Sequence, residues 1–90
     1  MTKYEIKFSK KFKKGFKKLD ADSQDSVLKV LALLADDIAL APKHKNHKLK
    51  GEYEGYEECH IKPDLLLIYE KQEEILVLLC IAIGSHSDLF

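Results

Sequence analysis

Glu58-Cys-His-Ile-Lys-Pro-Asp-Leu-Leu-Leu-Ile-Tyr69 is the stretch that decides how this 90-residue chain folds. Cys59 and Ile61 alternate with His60, the period of two that lines one face of a strand. Pro63 and Asp64 then supply turn chemistry: proline presets φ, and aspartate hydrogen-bonds its own backbone. Leu65 to Tyr69 is continuously apolar, as in a strand covered on both faces. The stretch predicts two antiparallel strands, Glu57–Lys62 and Leu65–Glu70, joined at the proline. A core strand needs neither His60 before the turn nor Asp64 after it. A site built on a sheet uses both.

Downstream, polar Lys71 to Glu74 leads into a third strand, Ile75–Ile83, and the chain closes on Gly84-Ser-His86-Ser-Asp-Leu-Phe90. The second and third strands are apolar on both faces and belong at the centre of the sheet. Upstream, Ala41 to Gly55 reads as a loop carrying Lys43, His44, Lys45, His47, Lys48 and Lys50, with Leu49 as its one anchor. Loops of about 12–15 residues are commonly functional or disordered.

The first forty residues read as strand, helix, helix. Tyr4, Ile6 and Phe8 alternate with charged residues, and Ser9 offers an N-cap. Phe12, Phe16 and Leu19 form one helical face, and Lys10, Lys11, Lys13, Lys14, Lys17 and Lys18 crowd the rest. Asp22 or Ser23 would cap a second helix carrying Val27, Val30, Leu31, Leu34 and Ile38, ending near Leu40 before Pro42. The expectation is one α+β domain over residues 1–90. Two N-terminal helices pack on one face of an antiparallel sheet in the order β-α-α-β-β-β. His60 lies on the other face, the floor beneath the His47 loop and the His86 tail.

Composition narrows the classes. The apolar fraction is 46%, which argues for a packed core rather than disorder. No apolar run approaches the ~20 residues of a membrane span. The N-terminus lacks the apolar stretch of a signal peptide, so a cytoplasmic protein is expected. Cys59 and Cys80 read as small buried thiols in a reducing compartment, with a disulfide or a metal role as the alternative. The net charge of zero hides a split: residues 1–50 carry 13 lysines against six acids, and residues 51–90 two against nine. Such asymmetry marks a polyanion-facing side or a solvated helix face. Every basic residue is lysine, although arginine is the better fork for a phosphate.

His47, His60, Asp64 and His86 all fall in loops or at element ends. Histidine titrates near neutrality and serves as acid or base. RNA cleavage without a metal needs a base for the ribose 2′-hydroxyl, an acid for the departing 5′-oxygen, and a cation beside the phosphate. The plainer readings are a solvated His44 or His47, a turn-forming Asp64 and a tail-capping His86. Zinc held by His44, His47, His60 and Asp64 is a further reading. Against it, no CxxC or HExxH spacing is present, and Cys59 and His60 face opposite ways. No cofactor and no metal are expected.

Taken together, H-x-L-x-G from His47 to Gly51, C-H-x-K-P-D from Cys59 to Asp64 and G-S-H-S-x-L-F from Gly84 to Phe90 are long and specific. The chain resembles the YafQ branch of the RelE/ParE toxin superfamily, including its Helicobacter members. The match is close over residues 41–90 and follows element order over 1–40. The resemblance implies a RelE-like fold and the toxin of a type II toxin–antitoxin pair, acting as a ribosome-dependent mRNA endoribonuclease (an mRNA interferase). It implies His47 and His60 in proton transfer, Asp64 and His86 completing the catalytic set, and Phe90 placing the substrate. It also implies ribosomal RNA along the Lys10–Lys18 surface, with a cognate antitoxin as protein partner and no membrane.

Two positions depart from the pattern. Relatives often carry arginine where this chain has Glu57 and Ala82, and loss of a cation beside the phosphate attenuates such chemistry. Lys48, Lys50 or Lys62 would stand in. His60 and His86 are the expected acid–base pair, with Asp64 orienting a histidine and His47 assisting. The alternatives are an attenuated or non-catalytic module acting through its antitoxin in operon autoregulation, and a gyrase-inhibiting toxin of the same superfamily.

Overall fold

A computed structural model of the protein describes residues 3–90; Met1 and Thr2, the start of the expected domain, lie outside the described residues. The elements are β1 (Glu5–Phe8), α1 (Lys10–Lys17), α2 (Ala21–Ala35), β2 (His47–Lys48), β3 (Glu57–Lys62), β4 (Leu65–Gln72), β5 (Val77–Gly84) and a last helical turn, α3 (His86–Leu89). The strands form one five-stranded sheet in the order β1-β5-β4-β3-β2. β1 runs parallel to β5, and the other pairings are antiparallel. This is the expected α+β architecture with β4 and β5 inside, but the sheet is mixed rather than wholly antiparallel, and β2 and α3 add to the expected β-α-α-β-β-β order. No helix is long and apolar enough to cross a membrane among the described residues.

Both helix starts follow from capping. The Phe12 N–H donates to Ser9 Oγ at 3.0 Å, and that hydroxyl donates to the Ile81 carbonyl at 2.6 Å, tying α1 to β5. α2 is capped by Asp20, not by Asp22 or Ser23. Asp20 Oδ1 accepts from the Ser23 N–H at 2.8 Å, and the Ser23 bonds hold the Asp20 carboxyl below its ordinary range. The helix also ends five residues earlier than Leu40, at Ala35. Asp37 turns left-handed with φ 59°, and the Ile38 N–H closes back on the Leu33 carbonyl. Ile38 is therefore 48% exposed rather than on the core face. Lys3 and Lys71 grip the Asp37 carboxylate at 2.8 and 2.9 Å and stabilise the turn.

One core layer lies between sheet and helices: Tyr4, Phe12, Val27, Leu31 and Leu34 against Cys59, Leu67, Tyr69, Leu78, Cys80 and Ile83. A smaller one covers the opposite face: Leu66, Ile68, Ala82 and Leu89 under Leu49, Tyr53 and Tyr56. β5 supplies both because of a bulge. Ile68 pairs with Ala82 but Tyr69 with Cys80, so Ile81 is extra and the alternation slips by one. Residues 41–55 are more ordered than a plain loop. Tight turns at Pro42–His44 and Gly51–Tyr53 flank β2, and the Leu49 N–H donates to the Tyr56 carbonyl at 2.9 Å. The Tyr69 hydroxyl donates to Asn46, which donates to Glu57, anchoring the segment before β2.

Two predictions follow from these contacts. A Cβ on Gly15 would sit 2.3 Å from the Ile83 carbonyl oxygen, so α1 packs on β5 only with glycine there. Helix propensity alone favours alanine by about 1 kcal/mol. Gly15→Ala is nevertheless expected to destabilise by on the order of 1–3 kcal/mol in urea unfolding, because backbone cannot yield. Asp37, held down to about 2 from 3.8 by Lys3 and then Lys71, contributes stability above its unfolded value that is lost as pH falls to about 2. Asp37→Asn, which tolerates the left-handed turn, is expected to flatten the pH dependence of stability over that window. Urea midpoints collected through it check this.

Candidate functional site

The site face is assembled by strand register. His47 on β2 lies opposite Glu58 on β3, Glu58 opposite Ile68, and Ile68 opposite Ala82, forming one row across four strands. The next row on that face is His60, Leu66 and Gly84. Gly84 is where β5 ends, so the tail begins beside His60. A Cβ at Gly84 would lie 2.9 Å from that of Asp88, and glycine lets the last turn fold tightly back. Ser85 and Asp88 cap it reciprocally, each side chain accepting the other's backbone N–H.

The expected histidines and aspartate come together. The His60 and His86 rings have centroids 6.0 Å apart, edge to face. Asp64 Oδ1 accepts from the His86 backbone N–H at 3.3 Å and lies 3.2 Å from its Nδ1. These bonds, the side chain's first, hold the Asp64 carboxyl below its usual range. Phe90 stands over the same end, with its ring centroid 6.5 Å from that of His86 and 5.6 Å from that of Tyr53. The Tyr53 hydroxyl donates to the Leu89 carbonyl at 3.3 Å, so the loop before β3 pins the tail.

Sequence reasoning missed Glu58, which lies near both His47 and His60. Its Oε1 is 3.5 Å from His47 Nε2 and 3.8 Å from His60 Nε2. Its side chain is only 6% exposed, and Oε2 is buried with no hydrogen-bond partner among the described residues. The signal was available: an acid at the position alternating with Cys59 and paired across to an apolar strand is not a solvent-facing residue. His47 Nδ1 donates to the Lys45 carbonyl at 2.7 Å, leaving Nε2 toward Glu58. His44 is half-buried rather than solvated, its Nδ1 donating to the His60 carbonyl at 2.7 Å.

The lysines divide. Lys11, Lys14 and Lys18 line a groove of about 650 Å³ that runs to Asp64, Ser85 and Asp88. Lys13 and Lys17 instead flank the apolar surface of Phe8, Phe12, Phe16 and Leu28, and Lys10 is exposed beside neither. Lys62 is engaged, its ammonium 2.7 Å from Asp22 and 3.1 Å from Ser23 Oγ. Lys48 pairs with Glu57 in register and shares a separate groove with Lys50 and Glu54, on the far side of the ribbon from His47. Glu57, bonded to Asn46, also faces away from His60, so its charge does not enter the site. Ala82 does lie on the site face, wholly buried in the row of Glu58.

No group of three or more His, Cys, Asp or Glu is placed to hold a metal ion among the described residues. Burial, then the Glu58 charge, pushes the Cys59 thiol up to about 12, and burial does the same for Cys80.

The sequence family described as the bacterial toxin of type II toxin–antitoxin systems, YafQ, matches residues 4–90. This chain belongs to the YafQ family. The mRNA interferase toxin YafQ of Escherichia coli K12 is 30% identical over 93 residues, covering 100% of this chain and 99% of its own. Among solved structures, a metal-bound toxin from Helicobacter pylori superposes with a TM-score of 0.86 at 41% identity, over 97% of this chain and 99% of that one. YafQ in the E. coli DinJ–YafQ toxin–antitoxin complex gives 0.84 at 26% identity, over 98% of each. The fold is accordingly the RelE-like α+β sandwich of YafQ toxins.

In this YafQ chain the position of His86 depends on the capped last turn. Ser85→Ala removes the cap and is expected to cost about 1 kcal/mol locally. Amide exchange at Leu89 and Phe90 should then accelerate roughly fivefold, read by NMR.

Proposed function

We propose that this protein is a ribosome-dependent mRNA endoribonuclease, the toxin of a pair whose cognate antitoxin neutralises it. The supporting observation is the facing of His60 and His86, each backed by a carboxylate: Glu58 3.8 Å from His60 and Asp64 3.2 Å from His86. A phosphodiester between the rings would meet base and acid at once. Names borne by relatives agree: mRNA interferase for E. coli YafQ, and a DinJ–YafQ complex for its antitoxin.

In this reading His60 takes the proton of a ribose 2′-hydroxyl, and Glu58 stabilises the imidazolium that forms. The 2′-oxygen attacks the adjacent phosphorus as the bond to the 5′-oxygen breaks. His86, oriented by Asp64 through Nδ1, gives its proton to that leaving oxygen, so a 2′,3′-cyclic phosphate and a 5′-hydroxyl result. His47 adds positive charge beside the phosphate from the other side of Glu58. Phe90 stacks on a neighbouring base. Lys11, Lys14 and Lys18 carry backbone phosphates along their groove, and the other helix lysines face ribosomal RNA. An acid–base pair of this kind supplies on the order of 10²–10⁴-fold per group.

Ala82 favours a second reading, an attenuated toxin acting through antitoxin binding, because a methyl on the site face offers no cation to a phosphorane. Primer extension on a translated mRNA, with and without ribosomes, separates the two. Wild type is expected to cut only when ribosomes are present. His86→Ala and His60→Ala should lose about 100-fold or more, and Glu58→Gln about tenfold or more. Equal cutting by wild type and all three variants removes the mechanism. A silent wild type that still binds its antitoxin tightly establishes the attenuated reading.

A further inference from the structure

Two grooves flank the Lys62–Asp64 corner: one carries the helix lysines, and the other holds the paired histidines. The lysine groove of α1 reaches Asp64 from one side. A second groove, of about 570 Å³, opens on the other side, lined by Lys43, Lys45, His60, Pro63 and His86. We propose that Lys43 and Lys45 form a phosphate subsite there, holding single-stranded RNA beyond the scissile linkage, opposite the lysine helix. The inference rests on the endoribonuclease reading and specifies where the substrate strand runs.

Three observations carry it. First, both ammoniums are uncommitted: Lys43 and Lys45 are exposed and enter no ion pair among the described residues, whereas neighbouring Lys62 is held by Asp22. Second, the segment that presents them is fixed to the reacting groups. His44, between the two, donates from Nδ1 to the His60 carbonyl, and the Lys45 carbonyl accepts from His47 Nδ1. Third, Lys45 closes the Pro42–His44 turn in the left-handed region at φ 46°, its N–H donating to the Pro42 carbonyl, which sets where its side chain leaves the turn. Two bonds tie this turn to His60 and His47.

A strand lying between His60 and His86 must leave the site on both sides. Toward α1 it meets Lys11, Lys14 and Lys18; in the histidine groove the lysines among the described residues are Lys43, Lys45 and the committed Lys62. Two point charges without a fork suit successive backbone phosphates and read no base. An acidic segment of a protein partner is the rival occupant.

The test uses a non-cleavable 2′-O-methyl oligoribonucleotide of about ten nucleotides, titrated into the full chain across a salt series. Lys43→Gln/Lys45→Gln is expected to weaken binding about tenfold and to lower the slope of log K against log salt by about 1.4, two phosphates' worth for a single strand. Lys43→Arg/Lys45→Arg should restore both. An unchanged Kd and slope, or a wild type that does not bind the oligonucleotide, overturns the subsite. So does a glutamine pair that weakens cognate antitoxin binding while leaving RNA binding intact. Cleavage of translated mRNA by the same proteins keeps the two claims apart: a wild type that binds the oligonucleotide through these lysines but never cuts leaves the subsite standing and removes the nuclease.

Discussion

The extra residue at Ile81 is the constraint on which the two faces of this sheet depend. A regular β5 would send Leu78, Cys80, Ala82 and Gly84 all to one side. With Ile81 bulged, Leu78, Cys80 and Ile83 fill the layer beneath the helices, while Ala82 and Gly84 turn to the opposite face. Ser9 fixes the irregularity by donating its N–H to the Cys80 carbonyl at 3.0 Å and its hydroxyl to that of Ile81. One side chain thus starts α1, satisfies the bulge and determines on which face the chain leaves the sheet. Because it leaves beside His60, His86 has only two residues to travel.

Much of this was legible because it is local. β3 falls at Glu57–Lys62 as the alternation of Cys59, His60 and Ile61 requires. Pro63 and Asp64 form the turn, and Ser9 caps α1. What sequence could not supply is pairing between distant segments. α2 stops at Ala35 because Asp37 adopts a left-handed turn clasped by Lys3 and Lys71, both 34 positions away. Lys62 looks free in sequence but is met by Asp22, forty positions earlier. Glu58 looks like a surface acid until Leu49, Tyr53 and Tyr56 are seen to build a small core over its face. The expectations about site chemistry rest on convergence, and that convergence came from register: His47 against Glu58, and His60 in the row of Gly84.

The charge split between the halves acquires a spatial sense. Lysines of α1 form the wall of a groove, while acids of the second half lie within it or beside the histidines. Asp64 and Asp88 point into the end of the lysine groove, and Glu58 stands behind His47 and His60. Cations on the periphery with carboxylate-backed imidazoles at the centre attract a polyanion while keeping the proton-handling groups paired until it arrives.

The thiols show what the same packing does to reactivity. Cys59 occupies the strand between Glu58 and His60, yet its sulfur points to the helix layer, where burial and the neighbouring carboxylate keep it protonated. Burial raises the Cys80 thiol in the same direction, so both sulfurs stay protonated at neutral pH. Peroxide and alkylating agents attack exposed thiolates, and two buried, protonated sulfurs in the helix layer offer them little, although one lies a single residue from His60.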